Sequence, residues 1–387
     1  MKRRAIARPY DNQKKQIIMR IDRIELRHTK MILVTPFVTS MGTEYDEQHI
    51  MVRVDAEGVT GWGECVAEET PFYSYETVPT AWHILNDFLI PSIIGRDIAS
   101  VEEAIASYSK VRGHMMAKAG LEAALYDAFA KSKGISLSKM LGGTQEKINV
   151  GVSLGISDTV PDLLHVMEKY MKEGYQRIKI KIAPKRDLQF IDALRREYPD
   201  MLLQVDANSA YTLDHLPVFK EMDKYNLSLI EQPLGYDDIF DHSKLQREIK
   251  TDLCLDESIH SLGDTRAAIE MKSCRIINIK PGRVGGYTES IKIHDYCAGM
   301  NIPVWHGGML ESGIGRAGNV ALASLPNFTL PSDLSPNRKY YTEDIVETLF
   351  ELNPDGTITV PTGPGIGVEI NMKALEKYTV RKCEQKA

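Results

Sequence analysis

The chain has 387 residues, of which 43% are apolar and 26% are charged, and its formal net charge is −6. This composition is typical of a globular protein with room for two domains. The negative charge argues against general nucleic-acid binding, no apolar run is long enough to span a membrane, and the five cysteines form no C-x-x-C pair. We therefore expect a cytoplasmic protein with a small-molecule partner, no nucleic-acid or membrane partner, and neither disulfides nor a thiolate metal site.

The first 145 residues divide into a tail and a small domain. Residues 1–18 are basic and lack the apolar core of a secretory signal, so we predict a disordered tail. Residues 19–145 begin with two strand-like segments, MRIDRIELRHTK and HIMVRVDAEGVTGWGECV, the second broken by a turn at Glu57-Gly58. Two predicted helices follow, TVPTAWHILNDFLIPSII and MAKAGLEAALYDAFAKSKG, the latter capped by Gly134. Strands followed by helices predict an α+β domain.

From about residue 146 to residue 340, short apolar strands alternate with longer amphipathic segments. A repeated strand–helix order indicates a parallel sheet, because each helical crossover returns the chain to the same end of the sheet. The predicted strands are INVGVSL, RIKIKI, LLQVDAN, LSLIEQP, LCLDESI, RIINIKP and IPVWHGG.

Six of these strands carry a charged or polar residue near their ends, and successive members are 24 to 26 residues apart. One βα unit fills about that length. Seven or eight such units predict a closed (β/α) barrel, in which the carboxyl ends of the strands surround one site. An open doubly wound sheet is the alternative, although no G-x-G-x-x-G follows the first strand. The six residues are Lys181, Asp206, Glu231, Asp256, Lys280 and His306.

Three successive members of this set are carboxylates: Asp206, Glu231 and Asp256. Carboxylates at one rim repel each other unless something neutralises them, and oxygen ligands alone favour Mg²⁺ or Mn²⁺. Each acid could instead cap a helix or bond a loop backbone. The matched spacing of all three favours a metal site.

Lys179 and Lys181 lie two residues apart on a strand, so both side chains point into the predicted barrel. Burial and a second ammonium group lower the pKa of a lysine, which makes it usable as a base. Lys280 lies across the mouth, where it could also pair with a barrel acid. Bases on both sides of a metal suit removal of the proton α to a carboxylate through an enediolate, and Arg283 would help keep Lys280 neutral or clamp an anion.

Several of these segments together resemble the enolase superfamily, in its muconate-lactonizing subgroup, and within it the o-succinylbenzoate synthase / N-acylamino acid racemase family. The resemblance implies a modified (β/α)₇β barrel over residues 146–340, capped by an α+β domain that residues 341–387 complete. The segments that carry it are RIKIKI, QVDANSAYT, LIEQPL, CLDESI, IINIKPGRVGG, VWHGGMLESGIGRA and LPSDLS.

The resemblance also implies roles for individual residues. Lys181 resembles the general acid/base, Lys179 its neighbouring partner and Lys280 the lysine on the opposite face, while the three carboxylates match the Mg²⁺ ligands. PFVTSMGT resembles a mobile cap loop that closes over substrate. The supporting residues implied are Asn208 and Glu257 beside the metal ligands, and Phe37, Ser40, Tyr73, Gly307, Met309 and Glu311 around the substrate.

The sequence departs from the family pattern at two positions: His306 stands where cysteine is usual, and Gly318 where histidine is usual. His306 fits a structural role, bonded to a backbone carbonyl. If it faces the pocket instead, it is a candidate to bind an acyl carboxylate of the substrate. Both departures bear on the substrate rather than on the reaction class.

Two activities fit this resemblance: o-succinylbenzoate synthesis, a dehydration in menaquinone biosynthesis, and racemisation of N-succinylamino acids or other N-acylamino acids. We expect the synthase as the physiological activity, with racemisation in the same site, in a homo-oligomer. A dedicated racemase, a cycloisomerase or a dipeptide epimerase of the same subgroup are alternatives, although epimerases carry an Asp-x-Asp pair where LPSDLS has Asp333 alone. A Schiff-base aldolase and a non-catalytic barrel represent other classes.

Overall fold

The computed structural model describes residues 17–387 and contains a strand-rich cap and a barrel of parallel strands. Nearly all of the predicted disordered tail, residues 1–18, lies outside the described residues. The domain boundaries proposed from the sequence remain predictions.

The cap is built on an antiparallel sheet that joins the two ends of the chain. β2 and β3 are joined by Glu57 and Gly58, which both have positive φ (49° and 78°), as a tight hairpin requires. The predicted turn is therefore confirmed. The strands, in sheet order, are β14 (Thr379–Lys386), β1 (Met19–Val38), β2 (Thr43–Ala56) and β3 (Val59–Cys65), and β4 (Asp97–Ile98) pairs with the start of β1.

Four helices accompany the cap sheet, and the longest packs directly on β3. The first predicted helix is real but irregular, since it passes from α-helix into a π turn and then a 3₁₀ turn. Gly134, with φ of 63°, follows the end of the longest helix as predicted. The segments are α1 (Val78–Ile84), the π turn (Leu85–Leu89), the 3₁₀ turn (Ile90–Ser92), α2 (Val101–Ser107), α3 (Met115–Ser132) and α4 (Leu137–Leu141).

Seven parallel strands form the barrel, in the order β12-β11-β10-β9-β8-β7-β6. An extended segment, residues 328–333, closes the ring as an eighth stave: Thr329 donates its N–H to Val304 O (3.2 Å) and Ser332 to Asn149 O (2.9 Å). The predicted barrel is confirmed and the open-sheet alternative is wrong. The strands are β6 (Val152–Leu154), β7 (Arg177–Lys181), β8 (Leu202–Asp206), β9 (Leu229–Glu231), β10 (Leu253–Leu255), β11 (Ile276–Ile279) and β12 (Val304–His306).

The first predicted barrel strand, INVGVSL, is two strands. β5 (Lys147–Asn149) pairs with β13 (Thr357–Thr359) in a separate ribbon, and only the following β6 joins the barrel. Gly151 lies between the two strands. A side chain does not fit there, because a Cβ atom would lie 2.2 Å from Arg177 Nε.

Helices between the barrel strands complete the βα units. In residues 17–387, no helix is long and apolar enough to cross a membrane, and all five cysteines are free thiols. The helices are α5 (Val160–Glu173), α6 (Leu188–Glu197), α7 (Leu216–Met222), α8 (Phe240–Glu248), α9 (Leu262–Glu270), α10 (Pro281–Val284), α11 (Tyr287–Gly299), α12 (Gly313–Ala323) and α13 (Met372–Tyr378), with 3₁₀ turns at Leu213–His215, Asp223–Tyr225 and Asn337–Lys339.

An apolar layer fills the barrel interior below the mouth. Leu229, Cys254, Ile276 and Trp305 pack together there, and Trp305 donates its indole N–H to Cys254 Sγ (3.1 Å). Lys179 Nζ lies 4.9 Å from the centre of the Trp305 ring. The polar residues of the strand ends therefore lie above a buried apolar layer.

Candidate functional site

The predicted spacing brings five charged residues to one end of the barrel. Lys181, Asp206 and Glu231 end neighbouring strands and are paired in register. Asp256 and Lys280 directly follow β10 and β11. All five are largely buried, so their charges interact with little screening by water.

Lys179 and Lys181 both point into the barrel and bind the acids of the next two strands. Lys181 Nζ donates to Asp206 (2.7 Å), whereas Lys179 Nζ contacts Asp206 (3.1 Å), Glu231 (2.8 Å) and Asp333 (2.7 Å). Lys179 is thus surrounded by three carboxylates, while Lys181 has one carboxylate partner.

A second cluster forms around Asp256 on the far side of the mouth. Lys280 Nζ donates to Asp256 (2.8 Å) and to the hydroxyl of Tyr73 (3.0 Å), and Tyr73 donates to Asp256 (3.1 Å). Arg283 also bonds Asp256 and donates Nε–H to Ile259 O (2.7 Å). Tyr73, a residue of the cap, is thereby part of the predicted site.

The two clusters lie on opposite walls. Counting staves from β6, Lys181 belongs to the second and Lys280 follows the sixth, which are four apart in a ring of eight. Asp206, Glu231 and Asp256 end or follow the three staves between them. This arrangement matches the predicted order of base, acids and base.

Burial and neighbouring cations were predicted to lower the pKa of the barrel lysines, but nearby acids outweigh both effects at Lys179 and Lys280. Burial opposes protonation, but Asp333, Glu231 and Asp206 outweigh it and raise the pKa of Lys179. Burial likewise opposes protonation of Lys280, yet Tyr73, Glu231 and Glu257 raise the pKa of that residue. The surrounding acids therefore favour the protonated form of both lysines. Arg283 is engaged by Asp256, and its effect on Lys280 remains a prediction.

Asn208 and Glu257 form the next layer around the acids. Asn208 donates its backbone N–H to Asp206 Oδ1 (3.0 Å) and its amide to Glu257 Oε1 (3.0 Å). Burial, followed by the charge of Asp206, raises the pKa of Glu257 to about 7. Glu257 Oε2 and Asn208 Oδ1 are buried without a hydrogen-bond partner.

The segment PFVTSMGT, residues 36–43, lies at the mouth. Ser40 Oγ donates to the carbonyl oxygens of Asn208 (3.1 Å) and Ala207 (3.3 Å), directly after Asp206. The Phe37 ring centre lies 5.9 Å from Lys181 Nζ. Phe37 therefore lies beside the second stave, and Ser40 lies beside the end of the third.

The segment after β12 supplies Gly307, Met309 and Glu311. A Cβ atom at Gly307 would lie 2.5 Å from Lys280 Cε, so glycine leaves room for the Lys280 side chain. Met309 is buried. Glu311 accepts the Met309 N–H (3.0 Å) and the Asn319 amide (2.7 Å), so the protein itself bonds both carboxylate oxygens.

His306 is a correction to the predicted set. It pairs in register with Ile279, whose neighbours Asn278 and Lys280 face inward, so His306 faces outward from the barrel. Its Nδ1 bonds Gly307 O (2.8 Å), and its ring lies against Phe328. The structural role considered for it is confirmed, and the alternative role in binding substrate is wrong.

Gly318, the second departure, is explained by packing. A Cβ atom there would lie 1.8 Å from Tyr287 Oη. A larger side chain at this position requires Tyr287 to move.

Sequence reasoning assigned no role in this site to several polar residues that the structure places there. Asp333, on the eighth stave, pairs with Lys179 and with Arg177 (2.6 Å), and Asn278 donates to Glu231 (2.7 Å). Asn278 could have been found, because it lies two residues before Lys280 and so shares its face. Three cap acids were also missed: Glu44, Glu47 and Glu68, whose pKa values are all raised by burial.

The predicted metal ligands fit a hard cation in their chemistry, because all three are carboxylates on adjacent staves. Within residues 17–387, however, no group of three or more His, Cys, Asp or Glu side chains is gathered closely enough to hold a metal ion. Ammonium and guanidinium groups bind the acids instead. Asp256, for example, is bound by Lys280 and Arg283.

Comparison with known proteins agrees with this geometry. Residues 23–142 match the family described as "Mandelate racemase / muconate lactonizing enzyme, N-terminal domain", and residues 162–374 match "Enolase C-terminal domain-like". The chain is 48% identical over 365 residues to the o-succinylbenzoate synthase of Bacillus subtilis, covering 94% of this chain and 98% of that protein.

The chain belongs to the o-succinylbenzoate synthase / N-acylamino acid racemase family of the enolase superfamily.

Other members of the family carry the second name. The N-succinylamino acid racemase of Thermus thermophilus is 44% identical over 362 residues, covering 94% of this chain and 98% of that protein. A solved enolase-superfamily structure from Listeria innocua superposes with a TM-score of 0.92 at 43% identity, covering 95% of this chain and 99% of that chain. Enzymes of this superfamily use a divalent metal ion, which agrees with the acidic rim.

Proposed function

We propose that this enzyme dehydrates a succinyl-substituted hydroxycyclohexadiene carboxylate to o-succinylbenzoate and racemises N-succinylamino acids in the same site. One observation carries the proposal: Lys181 and Lys280 belong to opposite staves, with three carboxylates on the staves between them. Relatives at 44–49% identity bear both names.

In the dehydration, Lys181 removes the proton α to the substrate carboxylate and leaves an enediolate. The C–O bond to the hydroxyl group then breaks, Lys181 returns its proton to the departing hydroxide as water, and the ring becomes aromatic. Lys280 remains cationic opposite the developing negative charge. The raised pKa of Lys280, where Tyr73, Glu231 and Glu257 outweigh burial, supports this role.

In the racemisation, the lysines exchange roles according to the enantiomer. One ammonium or amine group lies on each face of the α-carbon, so one lysine takes the proton and the other delivers a proton to the opposite face. Lys280 must release its proton when it acts as the base, and release of Asp256 from Lys280 favours that change.

Asp206, Glu231 and Asp256 would hold Mg²⁺ or Mn²⁺, and the bound cation would lower the pKa of the substrate α-proton by offsetting carboxylate charge. Lys179 would keep Asp206 and Glu231 oriented, and Arg283 would orient Asp256. Asn208 and Glu257 would support the ligand set from behind.

Phe37, Ser40 and Tyr73 of the cap would position the substrate and exclude water. Asp333 argues against a dipeptide epimerase: both Arg177 and Lys179 already neutralise it, so it is not available to bind a substrate amine. The L-Ala-D/L-Glu epimerase of Bacillus subtilis is a more distant relative, at 26% identity.

Purified enzyme with Mg²⁺ provides the test, through kcat/KM for dehydration and for racemisation of N-succinylamino acids. We expect both activities, with both lost by at least 10³-fold in Lys181→Ala and in Asp256→Asn. Exposed Lys147→Ala is the matched control and should retain both. Full activity in Lys181→Ala would exclude the proposal, and covalent trapping of a ketone by borohydride at Lys181 or Lys280 would favour an aldolase.

A further inference from the structure

Lys339 is a fourth lysine near the barrel mouth, in a different environment from Lys179, Lys181 and Lys280. It ends the 3₁₀ turn that follows the eighth stave, and its Nζ donates to Ser153 O (2.8 Å) and the Tyr340 hydroxyl (3.3 Å). Lys179, Lys181 and Lys280 each contact at least one carboxylate. No acidic side chain in the described part of the chain lies within 4.0 Å of Lys339.

Phe37 connects Lys339 with the proposed base. The ring centre of Phe37 lies 5.9 Å from Lys181 Nζ and 6.0 Å from Lys339 Nζ, so the two nitrogens are no farther apart than the sum of these distances. A four-carbon dicarboxylic acyl group places its terminal carboxylate about 7 Å from the substrate α-carbon. With hydrogen-bond reach of about 3 Å at each end, such a group spans from Lys181 to Lys339.

Ser153 provides a second polar group beside Lys339. It pairs in register with Lys179, so its side chain faces the barrel interior. The Ser153 hydroxyl is buried and has no hydrogen-bond partner. A buried hydroxyl without a partner is unfavourable, and a substrate oxygen would satisfy it.

Aromatic rings hold the Lys339 ammonium group away from water. The ring centres of Tyr340, Phe37 and Tyr170 lie 4.6, 6.0 and 6.0 Å from Nζ. Burial lowers the pKa of Lys339 to about 7, with Asp333 opposing the shift. A bound carboxylate would stabilise the cation in this poorly solvated position.

We propose that Lys339 and Ser153 form the subsite that binds the terminal carboxylate of a succinyl group. The inference rests on the proposed function and adds the recognition element that its two reactions share, since both substrates carry a succinyl chain. One anion subsite would hold that chain while the rest of the substrate differs. The variant Lys339→Arg, which keeps the positive charge, and substrates with an uncharged acyl group give the comparisons needed to test it.

The turnover test compares N-succinyl and N-butanoyl derivatives of one amino acid, which differ by the terminal carboxylate. In Lys339→Met we expect kcat/KM for the succinyl substrate to fall at least 10-fold, mainly through KM, and that for the butanoyl substrate to change less than 3-fold. Lys339→Arg should keep the preference for the succinyl over the butanoyl substrate. Ser153→Ala should reduce that preference, but less than Lys339→Met does. Exposed Lys147→Met is the matched control.

A binding test needs no turnover and separates failure of the subsite from failure of the proposed function. By calorimetry, Lys339→Met should weaken the binding of o-succinylbenzoate at least 10-fold and leave the affinity for 2-butanoylbenzoate unchanged. Equal losses for both ligands, or unchanged preference in Lys339→Met and Ser153→Ala, would overturn the subsite. If wild-type enzyme turns over neither substrate but shows this binding difference, the proposed reaction fails and the subsite stands.

Discussion

At the residue scale, the site is a set of buried charges that neutralise each other. Lys179 contacts three carboxylates from three different staves, and Asp256 is bound by Lys280 and Arg283. Removing one partner from such a network leaves an uncompensated buried charge, which typically costs 3–5 kcal/mol. Structural and chemical roles therefore overlap at these residues, and the proposed base, Lys181, is the lysine of β7 with fewer acidic partners.

Glu122, a buried acid of the cap, predicts a pH dependence of stability. Burial raises its pKa to about 7, although the Thr288 N–H donates to it at 2.7 Å. Between pH 4.5 and pH 7 the unfolded chain releases this proton while the folded protein keeps it, so stability falls as pH rises. Glu122→Gln removes this titration. The free energy of unfolding of the variant, relative to wild type, should therefore be higher at pH 8 than at pH 4, by about 3 kcal/mol at most.

Urea unfolding of wild type and Glu122→Gln at a series of pH values measures this difference. Exposed Glu197→Gln is the control and should show a difference independent of pH. A Glu122→Gln difference that stayed constant from pH 4 to pH 8 would mean that Glu122 does not titrate differently in the folded protein.

At the element scale, α3 and β3 approach so closely that glycine is required. A Cβ atom at Gly63 would lie 2.3 Å from Gly120 O and 2.5 Å from Ala124 N. Because these are backbone atoms, the helix or the strand has to shift to admit even a methyl group. This contact fixes the position of α3 on the cap sheet. The segment that follows β3 carries Tyr73.

Gly63→Ala should therefore lower the free energy of unfolding by about 1–3 kcal/mol, as overpacking does. Gly299→Ala is the matched control, since a Cβ atom there meets nothing within 4 Å at the end of α11. It should be neutral or stabilising by up to about 1 kcal/mol. Denaturant titration of both variants makes the comparison, and an equal effect of the two would contradict the close packing.

The barrel was predictable from the sequence because its charged residues recur at the length of one βα unit. Strand phase also fixed the inward direction of Lys179 and Lys181. It was less useful for His306, a strand-end residue whose outward direction follows only from pairing with Ile279. The place of Asp333 in the site was not predicted, because the eighth stave is an extended segment without the alternation of a regular strand.

The cap acids were not predictable, because their positions depend on packing between distant parts of the chain. Glu44 pairs in register with Phe37, and both thereby share the face that carries Phe37 towards Lys181. Glu68 comes from the segment after β3. No spacing in the sequence relates these residues to the barrel lysines.

At the scale of the whole molecule, the site lies between cap and barrel and depends on both. Tyr73 and Ser40 from the cap bond Asp256 and the backbone beyond Asp206. A divalent cation that binds only the folded site should stabilise the entire protein, by about 2.7 kcal/mol at one hundred times its Kd.

Melting temperature measured against Mg²⁺ concentration tests this linkage without an activity assay. Wild type should show a rise of several degrees that saturates, at constant ionic strength, and Asp206→Asn should lose most of it. Asp355→Asn, at an exposed acid, is the control and should respond like wild type. An identical response in Asp206→Asn would show that Mg²⁺ binds elsewhere.

The most direct test of two lysines acting from opposite walls is exchange of the α-proton in D₂O, followed by NMR for each N-succinylamino acid enantiomer separately. Wild type should exchange both enantiomers. Lys181→Ala and Lys280→Ala should each fail to racemise, and each should keep exchange with one enantiomer, the opposite one in the two variants. Retention of the same enantiomer in both variants, or racemisation by either, would contradict the account.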